Sequence, residues 1–403
     1  MSFRNYVENL KVDTKRLLFL LLSFNFRKGT YQINTEVKKG INIIGFPKLP
    51  KGVGEGVRSH IKAANTVGLK NSVIDVNDLA FSDELYDYNL FHINADLIPQ
   101  IYVKLGKKFW EKRYNIGYWV WELEKFPKKW KSSFRYLDEI WVGSSFVYDA
   151  LKEITHIPIL KIPYSIEFDV DTQYNRSYFN LPKSSFLFLS MYDTESIQER
   201  KNPKASIEAF QKVFAFNNKK VCLIIKINNN SLNSLEIENL KKMIYGWENI
   251  ILINKVLKKE EVTGLINCCD VFISLHRSEG FGLVIAESMY LGKPVIVTNW
   301  SGNTDFTNFK NACCVPYKLI EIKKSHGPYK KGNYWAEPDI LAASNFMIKL
   351  YENKGYYAEK SISGNETIKS YYSSKYIGSL IKKRIDELNN KKLKDIRIHN
   401  KMK

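Results

Sequence analysis

Residues 270–298 leave a folding chain few options. Asp270-Val-Phe-Ile-Ser-Leu-His276 is a short apolar run rich in β-branched and aromatic residues, the composition of a buried strand. Arg277, Ser278 and Glu279 leave it, and Gly280 and Gly282 let the backbone turn tightly and approach a ligand. Leu283, Ala286, Met289 and Tyr290 then recur at helical spacing until Gly292 and Pro294 end the helix. Pro294-Val-Ile-Val-Thr298 reads as the next buried strand, with the loop Ser301-Gly302-Asn303 behind it. Strand, helix and strand in this order predict an α/β fold with a parallel sheet, whose strand carboxyl ends carry ligand-binding loops.

Two carboxylates, Glu279 and Glu287, bracket the glycine turn. Eight helical residues rise about 12 Å, enough to reach two ends of an extended ligand. The free amides of the helix start favour an anion between them. One carboxylate at a sugar hydroxyl, amides at phosphates and a second carboxylate at a ribose diol would suit a nucleoside-diphosphate sugar. A plain strand-turn-helix connection with two solvated glutamates has the same spacing, and spacing alone does not separate the two.

At this point the chain resembles glycosyltransferase family 4, retaining enzymes of GT-B fold whose hallmark is Glu-x7-Glu. Upstream, Ile41-Asn-Ile-Ile-Gly-Phe46 reads as a first strand and Gly52-Val-Gly-Glu-Gly-Val-Arg58 as a glycine-rich loop before a helix beginning near Ser59. Phe91-His-Ile-Asn-Ala-Asp96 and Gly117-Tyr-Trp-Val-Trp-Glu-Leu-Glu124 are similar to segments of polysaccharide-assembling members. Core packing by aromatics is the plain alternative for these, but an extended run sets Trp119 and Trp121 on one face and Tyr118 and Glu122 on the other, and both indoles are not expected in the core. His326-Gly-Pro-Tyr329 and Tyr334-Trp-Ala-Glu-Pro-Asp339 resemble a late segment of O-antigen and capsule transferases.

The resemblance implies a GT-B fold, two Rossmann-like domains facing a central cleft. Its expected divisions are an N-terminal extension at 1–40, an acceptor domain at 41–180 and a donor domain at 181–369, with an interdomain linker near 167–182. Helices at about 370–390 cross back onto the first domain, and 391–403 form a charged, mobile tail. Phe186-Leu-Phe-Leu-Ser190 opens the donor domain, and Arg200-Lys201-Asn-Pro203 begins a helix through Phe214. An isolated Arg-Lys pair in so lysine-rich a chain is ordinarily solvated surface. On the first strand-helix loop of a donor domain it is a diphosphate clamp.

The site the resemblance implies has Glu279, Arg200 and Lys201 as catalytic residues, Glu279 on sugar hydroxyls and the two cations on the leaving phosphates. Glu287 holds the ribose, and Ser278, Gly280, Phe281, Gly282, Leu283 and Gly54 bind the donor. Val256 offers backbone groups to the base. His92, Asn94, Trp121, Glu122 and Glu55 are acceptor-side candidates, with His92 nearest the transferred sugar. No enzymic nucleophile and no metal or other cofactor is expected, because in the front-face mechanism the leaving diphosphate helps deprotonate the incoming hydroxyl. Domain closure excludes water. Asp169-Val-Asp171 looks like a metal-binding pair, but it falls in the expected linker and is read as coincidence.

The net charge of +19 raises nucleic acid or anionic lipid as partners. Only 11 of the 61 basic residues are Arg, the residue directed phosphate and base readers favour, so nucleic acid is not the expected partner. Lys15-Arg16-Leu-Leu-Phe-Leu-Leu-Leu22 with Arg27 and Lys28 is either a basic membrane-surface helix or a helix packed on the first domain. Five cysteines without metal-ligand spacing and the lack of a signal peptide point to the cytoplasm, with peripheral attachment to the inner membrane face as the variant of that reading.

The reading is a retaining hexosyltransferase using GDP-mannose or a UDP-hexose, acting on a glycan or lipid-linked glycan of a bacterial-type surface polysaccharide. A nucleotide-sugar epimerase of GT-B fold, a DNA-modifying glycosyltransferase and an inactive binding subunit are the rivals.

Overall fold

Parallel strands buried on both faces read as unbroken apolar runs, and the chain supplies two sets of them. The computed structural model describes residues 17–19, 21, 38–50, 52–78, 84–228 and 234–401, with side chains throughout except at 195, 234 and 392–401. The expectations for the 1–40 extension and for Lys15–Leu22, Arg27 and Lys28 therefore lie largely outside the described residues. No described helix is long and apolar enough to cross a membrane.

The chain forms two compact units, Met1–Ser165 with Tyr372–Lys403, and Ile166–Tyr371. The first holds β1 (Ile41–Gly45), β2 (Asn71–Asp75), β3 (Tyr88–Phe91), β4 (Tyr114–Trp119), β5 (Glu139–Val142) and β6 (Ile159–Lys161). They make a sheet of order β2-β1-β3-β4-β5-β6, parallel throughout. Register is pinned from inside: Asn42 Nδ2 donates to Asn89 Oδ1 at 2.8 Å and Asn89 Nδ2 to Asn115 Oδ1 at 2.9 Å, a buried amide ladder across three strands. A one-residue slip would orphan every amide in it.

The second unit holds β7 (Phe186–Asp193), β8 (Val221–Asn228), β9 (Ile250–Asn254), β10 (Val271–Ser274), β11 (Val295–Thr298) and β12 (Cys313–Val315) in the order β12-β11-β10-β7-β8-β9. One face is sealed by Phe188, Phe210, Ile225, Ile273 and Met347, all buried. β13 (Tyr317–Glu321) and β14 (Tyr334–Pro338) form an antiparallel hairpin. Strand order reverses between β1 and β3 in the first sheet and between β7 and β10 in the second. Carboxyl ends at such reversals leave a crevice for ligands.

Three expectations are corrected here. The helix after β1 runs Gly52–Thr66 and starts seven residues before Ser59, so the glycines belong to its first turns. Gly54 is required there: a Cβ would lie 2.1 Å from Leu49 O. The stretch near 167–182 is not a linker but part of the second unit, because Arg176 donates to Cys268 O at 2.9 Å and pairs with Asp270 at 3.0 Å. Of the stretch expected as a charged tail, residues 391–401 continue the helix Ser374–Lys401.

Candidate active site

At the strand-order reversal of the second sheet, β7 and β10 end side by side and each releases a loop. The β7 loop carries Arg200 and Lys201 on a short helix, Gln198–Lys201, which breaks at Asn202 (φ 50°) before Pro203 begins the next helix. The β10 loop carries Glu279. The two meet: Lys201 Nζ lies 2.5 Å from Glu279 Oε1 and Arg200 Nη1 3.3 Å from Oε2. Glu279 is only 9 % exposed, and burial alone would push its carboxyl up. Lys201 and then Arg200 outweigh burial and hold it at about 2, so it is ionised at any physiological pH.

The loop around Glu279 is held from both sides. Its backbone N–H donates to Ser301 Oγ at 2.7 Å, and its carbonyl accepts from Gly302 N at 2.9 Å. Ser301 has φ 75°, and a Cβ on Gly302 would sit 2.3 Å from Gly280 O, so only glycine lets the β11 loop come this close. His276, fully buried, lies with Nε2 3.0 Å from Asn303 Oδ1 and ties the same two loops together. Burial lowers its pKa despite Glu279, which leaves a neutral ring.

Arg200 differs from its expected role. Its guanidinium donates to Ser278 O at 2.7 Å and Ser196 O at 3.3 Å and is 4 % exposed, so it braces the two loops, whereas Lys201 stands further out. Arg277, which motif reading passes over, repeats the brace: it donates to Glu199 O at 2.7 Å and pairs with Glu337 at 2.5 Å. The β13–β14 hairpin completes this wall, with Trp335 under Arg277 at 5.4 Å and Tyr329 under Arg200 at 5.8 Å. The late segment of the sequence thus arrives at the arginines, a contact no local pattern reveals.

The helix after the glycine turn is Leu283–Tyr290, with Gly282 at φ 96° as its N-cap and no side-chain cap. Its first amides are therefore directed out of the helix without a side-chain acceptor. Gly280 and Gly282 are buried, Ser278 is fully buried, and Phe281 packs on Phe306 at 5.2 Å, so these residues present backbone rather than side chains; Leu283 is half-buried. Glu287, 4 % exposed, is paired with Lys259, which also lies 5.3 Å over the Phe168 ring. Val256 is exposed on the loop after β9. The side chain of Lys226, a residue 4 % exposed near the carboxyl end of β8, has no hydrogen bond or ion pair to a described residue, and burial draws its pKa down to about 8 against the pull of Asp193 and Glu261. Nothing in its apolar strand run marks it in sequence.

In the first unit, the strand-order reversal brings together the Gly52–Thr66 helix and the residues after β3. His92 is buried and bonded to His60, a residue that sequence reading misses because nothing but the fold unites positions 60 and 92. The other acceptor-side candidates are largely spent on structure. Asn94 Oδ1 accepts from Val120 N at 2.9 Å, and Glu55 pairs with Arg58 at 2.5 Å. Both indoles are core, contrary to expectation: β4 stops at Trp119, and the turn beyond it carries Trp121 onto Trp130 at 5.1 Å, its N–H donating to Lys125 O. Glu122 is half-buried.

Two parallel six-stranded sheets with flanking helices, each with one reversal of strand order, define the class: the GT-B fold of glycosyltransferases. Residues 180–321, which carry Arg200, Lys201, Glu279 and Glu287, match the family described as Glycosyl transferases group 1. Among solved structures, the chain is similar to sucrose-phosphate synthase from Thermosynechococcus elongatus, with 13 % identity, a TM-score of 0.66 and coverage of 88 % of this chain and 100 % of that one. It is also similar to Anabaena Alr3699/HepE, solved with UDP and glucose, with 12 % identity, a TM-score of 0.64 and coverage of 87 % and 100 %. A glycosyltransferase from Rickettsia africae matches at 14 % identity and a TM-score of 0.61, covering 86 % and 99 %. A sequence search of curated proteins finds no match.

Proposed function

We propose that this chain is a retaining glycosyltransferase that moves a hexose from a nucleoside-diphosphate donor to a glycan acceptor of a bacterial-type surface polysaccharide. The observation that carries the reading is the convergence of Arg200 and Lys201 on a buried, ionised Glu279 beside the uncapped start of helix Leu283–Tyr290. Such a site offers a hydrogen-bond acceptor for sugar hydroxyls next to fixed positive charge for phosphates. As the sugar-phosphate bond breaks, charge grows on the leaving diphosphate, and Lys201 and the helix amides stabilise it in a site that needs little reorganisation. Arg200 keeps Glu279 and Lys201 in place.

Glu287 is assigned to the ribose and the backbone beside Val256 to the base. Solved relatives in fold that carry UDP, with glucose or as UDP-glucose, make UDP-hexoses the first donors to try, with GDP-mannose beside them. The leaving diphosphate serves as base toward the incoming hydroxyl, and the reading assigns no metal. A thermal-shift panel over nucleotide sugars tests it, because a ligand bound to the native state raises its midpoint by mass action. One nucleotide sugar is expected to raise the midpoint above its own free nucleotide, and a panel in which no nucleotide or nucleotide sugar shifts it would refute the reading.

A further inference from the structure

His60, on the helix Gly52–Thr66, and His92, the residue following β3, face each other with Nδ1 of the first 2.9 Å from Nε2 of the second. His60 is 0 % and His92 4 % exposed. His60 Nε2 lies 2.9 Å from Pro163 O. A carbonyl oxygen only accepts, so His60 Nε2 carries a proton. Burial keeps both rings neutral, bringing His60 down to about 4 and His92 well below its ordinary value. A neutral imidazole has a single N–H, which leaves His60 Nδ1 as a bare acceptor. The bond between the rings then requires the other proton to be on His92 Nε2. His92 Nδ1 is left with its lone pair, and no described residue hydrogen-bonds to it.

The pair is boxed so that neither ring turns over. Tyr118 stacks on His92 with centroids 4.5 Å apart at 20° and meets His60 edge-on at 4.8 Å, while its own hydroxyl donates to Ile162 O at 3.1 Å. Tyr164 closes on His60 at 5.7 Å. Gly45, at the end of β1, completes the seat: a Cβ there would lie 3.1 Å from His92 Cβ. The lone pair therefore has a fixed direction at the strand-order reversal of the first sheet, where such sheets bind ligands.

We propose that His60 is a positioning residue that holds His92 in its Nε2-protonated form, so that His92 Nδ1 accepts a hydrogen bond from a hydroxyl of a sugar substrate. The proposal rests on the transferase reading, which already sets His92 beside the transferred sugar, and adds the tautomer and the residue that fixes it: a neutral hydroxyl is recognised, whereas a phosphate or carboxylate meets a lone pair and is refused. It also removes imidazolium chemistry from His92, which acts as an acceptor and not as a cation.

Histidine-labelled full chain, studied by long-range proton–nitrogen NMR at neutral pH, tests the tautomers without any substrate. Both residues are expected to show a protonated Nε2 and a bare Nδ1; a proton on His92 Nδ1, or an imidazolium signal, overturns the proposal. Two variants test the positioning. His60→Asn keeps an acceptor oxygen near the Nδ1 position, and His60→Leu removes it. The Leu variant is expected to lose about fivefold to tenfold in turnover of saturating UDP-glucose, with the Asn variant within about threefold of the parent, as befits one oriented hydrogen bond. The Michaelis constant for UDP-glucose stays within about twofold in both. Equal turnover in the two variants, folded to the same thermal midpoint, would overturn the positioning role. Should either fail to fold, the spectra of the unaltered chain still decide. Failure of the unaltered chain to turn over any nucleotide sugar sinks the transferase reading and the hydroxyl subsite together, while the tautomers stand or fall on the spectra alone.

Discussion

Glu279→Gln keeps the side chain's shape and removes the charge with which Lys201 and Arg200 pair. Arg200, 4 % exposed, would retain its bonds to Ser278 O and Ser196 O, and Lys201 could still donate to the amide oxygen. What is lost is the pairing of a buried carboxylate at 2.5 and 3.3 Å. Breaking a buried pair from one side costs about 3 kcal/mol, which for a unit of this size lowers the melting midpoint by roughly 6–12 °C. The sign with pH follows from the carboxyl: held at about 2 in the fold and ordinary when unfolded, it stabilises fully above the unfolded range and loses that contribution as pH falls toward 2. The gap between parent and variant is therefore widest at neutral pH and closes in acid. Ligands separate the roles further. UDP brings its own negative charge to the freed cations and is expected to stabilise the variant at least as much as the parent, whereas the extra stabilisation that UDP-glucose gives over UDP is expected to vanish. Calorimetric melts with each ligand read all three effects. A variant that melts with the parent across the pH range, or that still prefers UDP-glucose to UDP, would refute the reasoning.

Lys201→Ala is expected to lower donor turnover by about 10²-fold or more, the loss of one oxyanion-type donor, and normal turnover in a folded variant would remove Lys201 from the leaving-group site. Glu287→Gln is expected to weaken UDP binding in calorimetry, and an unchanged affinity would take Glu287 away from the ribose. Lys226→Met is expected to stabilise the chain by roughly 3 kcal/mol at neutral pH, because the buried ammonium is disfavoured in the fold. Its folded pKa of about 8 lies below the unfolded one, so that cost is full below pH 8 and fades as pH rises through the ordinary lysine range; a destabilised variant in chemical denaturation would show instead that the amine is productively paired. Turnover is expected to persist in excess EDTA, and complete loss restored by manganese would show that the positive charge of Lys201 and the helix amides does not suffice.

The donor-side loop is legible in sequence because its constraints are local. Gly280, Gly282 and the apolar spacing from Leu283 onward dictate strand, turn and helix without help from elsewhere, and those elements lie where the pattern sets them. Long-range partnerships are not legible in this way. Arg200 reads as a phosphate ligand until Ser278 O, contributed by another strand's loop, occupies its guanidinium. His60 carries no signal at all, since its partners Pro163 and His92 are brought to it only by the sheet. Trp121 misleads for the opposite reason: strand alternation governs it only if the strand continues, and β4 stops two residues earlier. The boundary near 180 fails because polar composition around Arg176 resembles a linker while its contacts to Cys268 and Asp270 make it part of the second unit.

The first unit is drawn from segments that precede and follow the second, and this sets an order of assembly. Helix Ser374–Lys401 lies against the Gly52–Thr66 helix, where Gly378 comes so close that a Cβ would meet Ala63 O at 2.2 Å. It also supplies Arg384, whose Nη2 pairs at 2.6 Å with Glu139, a carboxylate on β5 that is 0 % exposed. On the ribosome the second unit has all its residues before the first does. Until Arg384 emerges, a nascent first unit would have to bury Glu139 without its counter-charge, at a cost of several kcal/mol. Synthesis that stops before residue 384 therefore leaves the earlier half of the polypeptide unfinished and the later half complete, the reverse of the usual vectorial order.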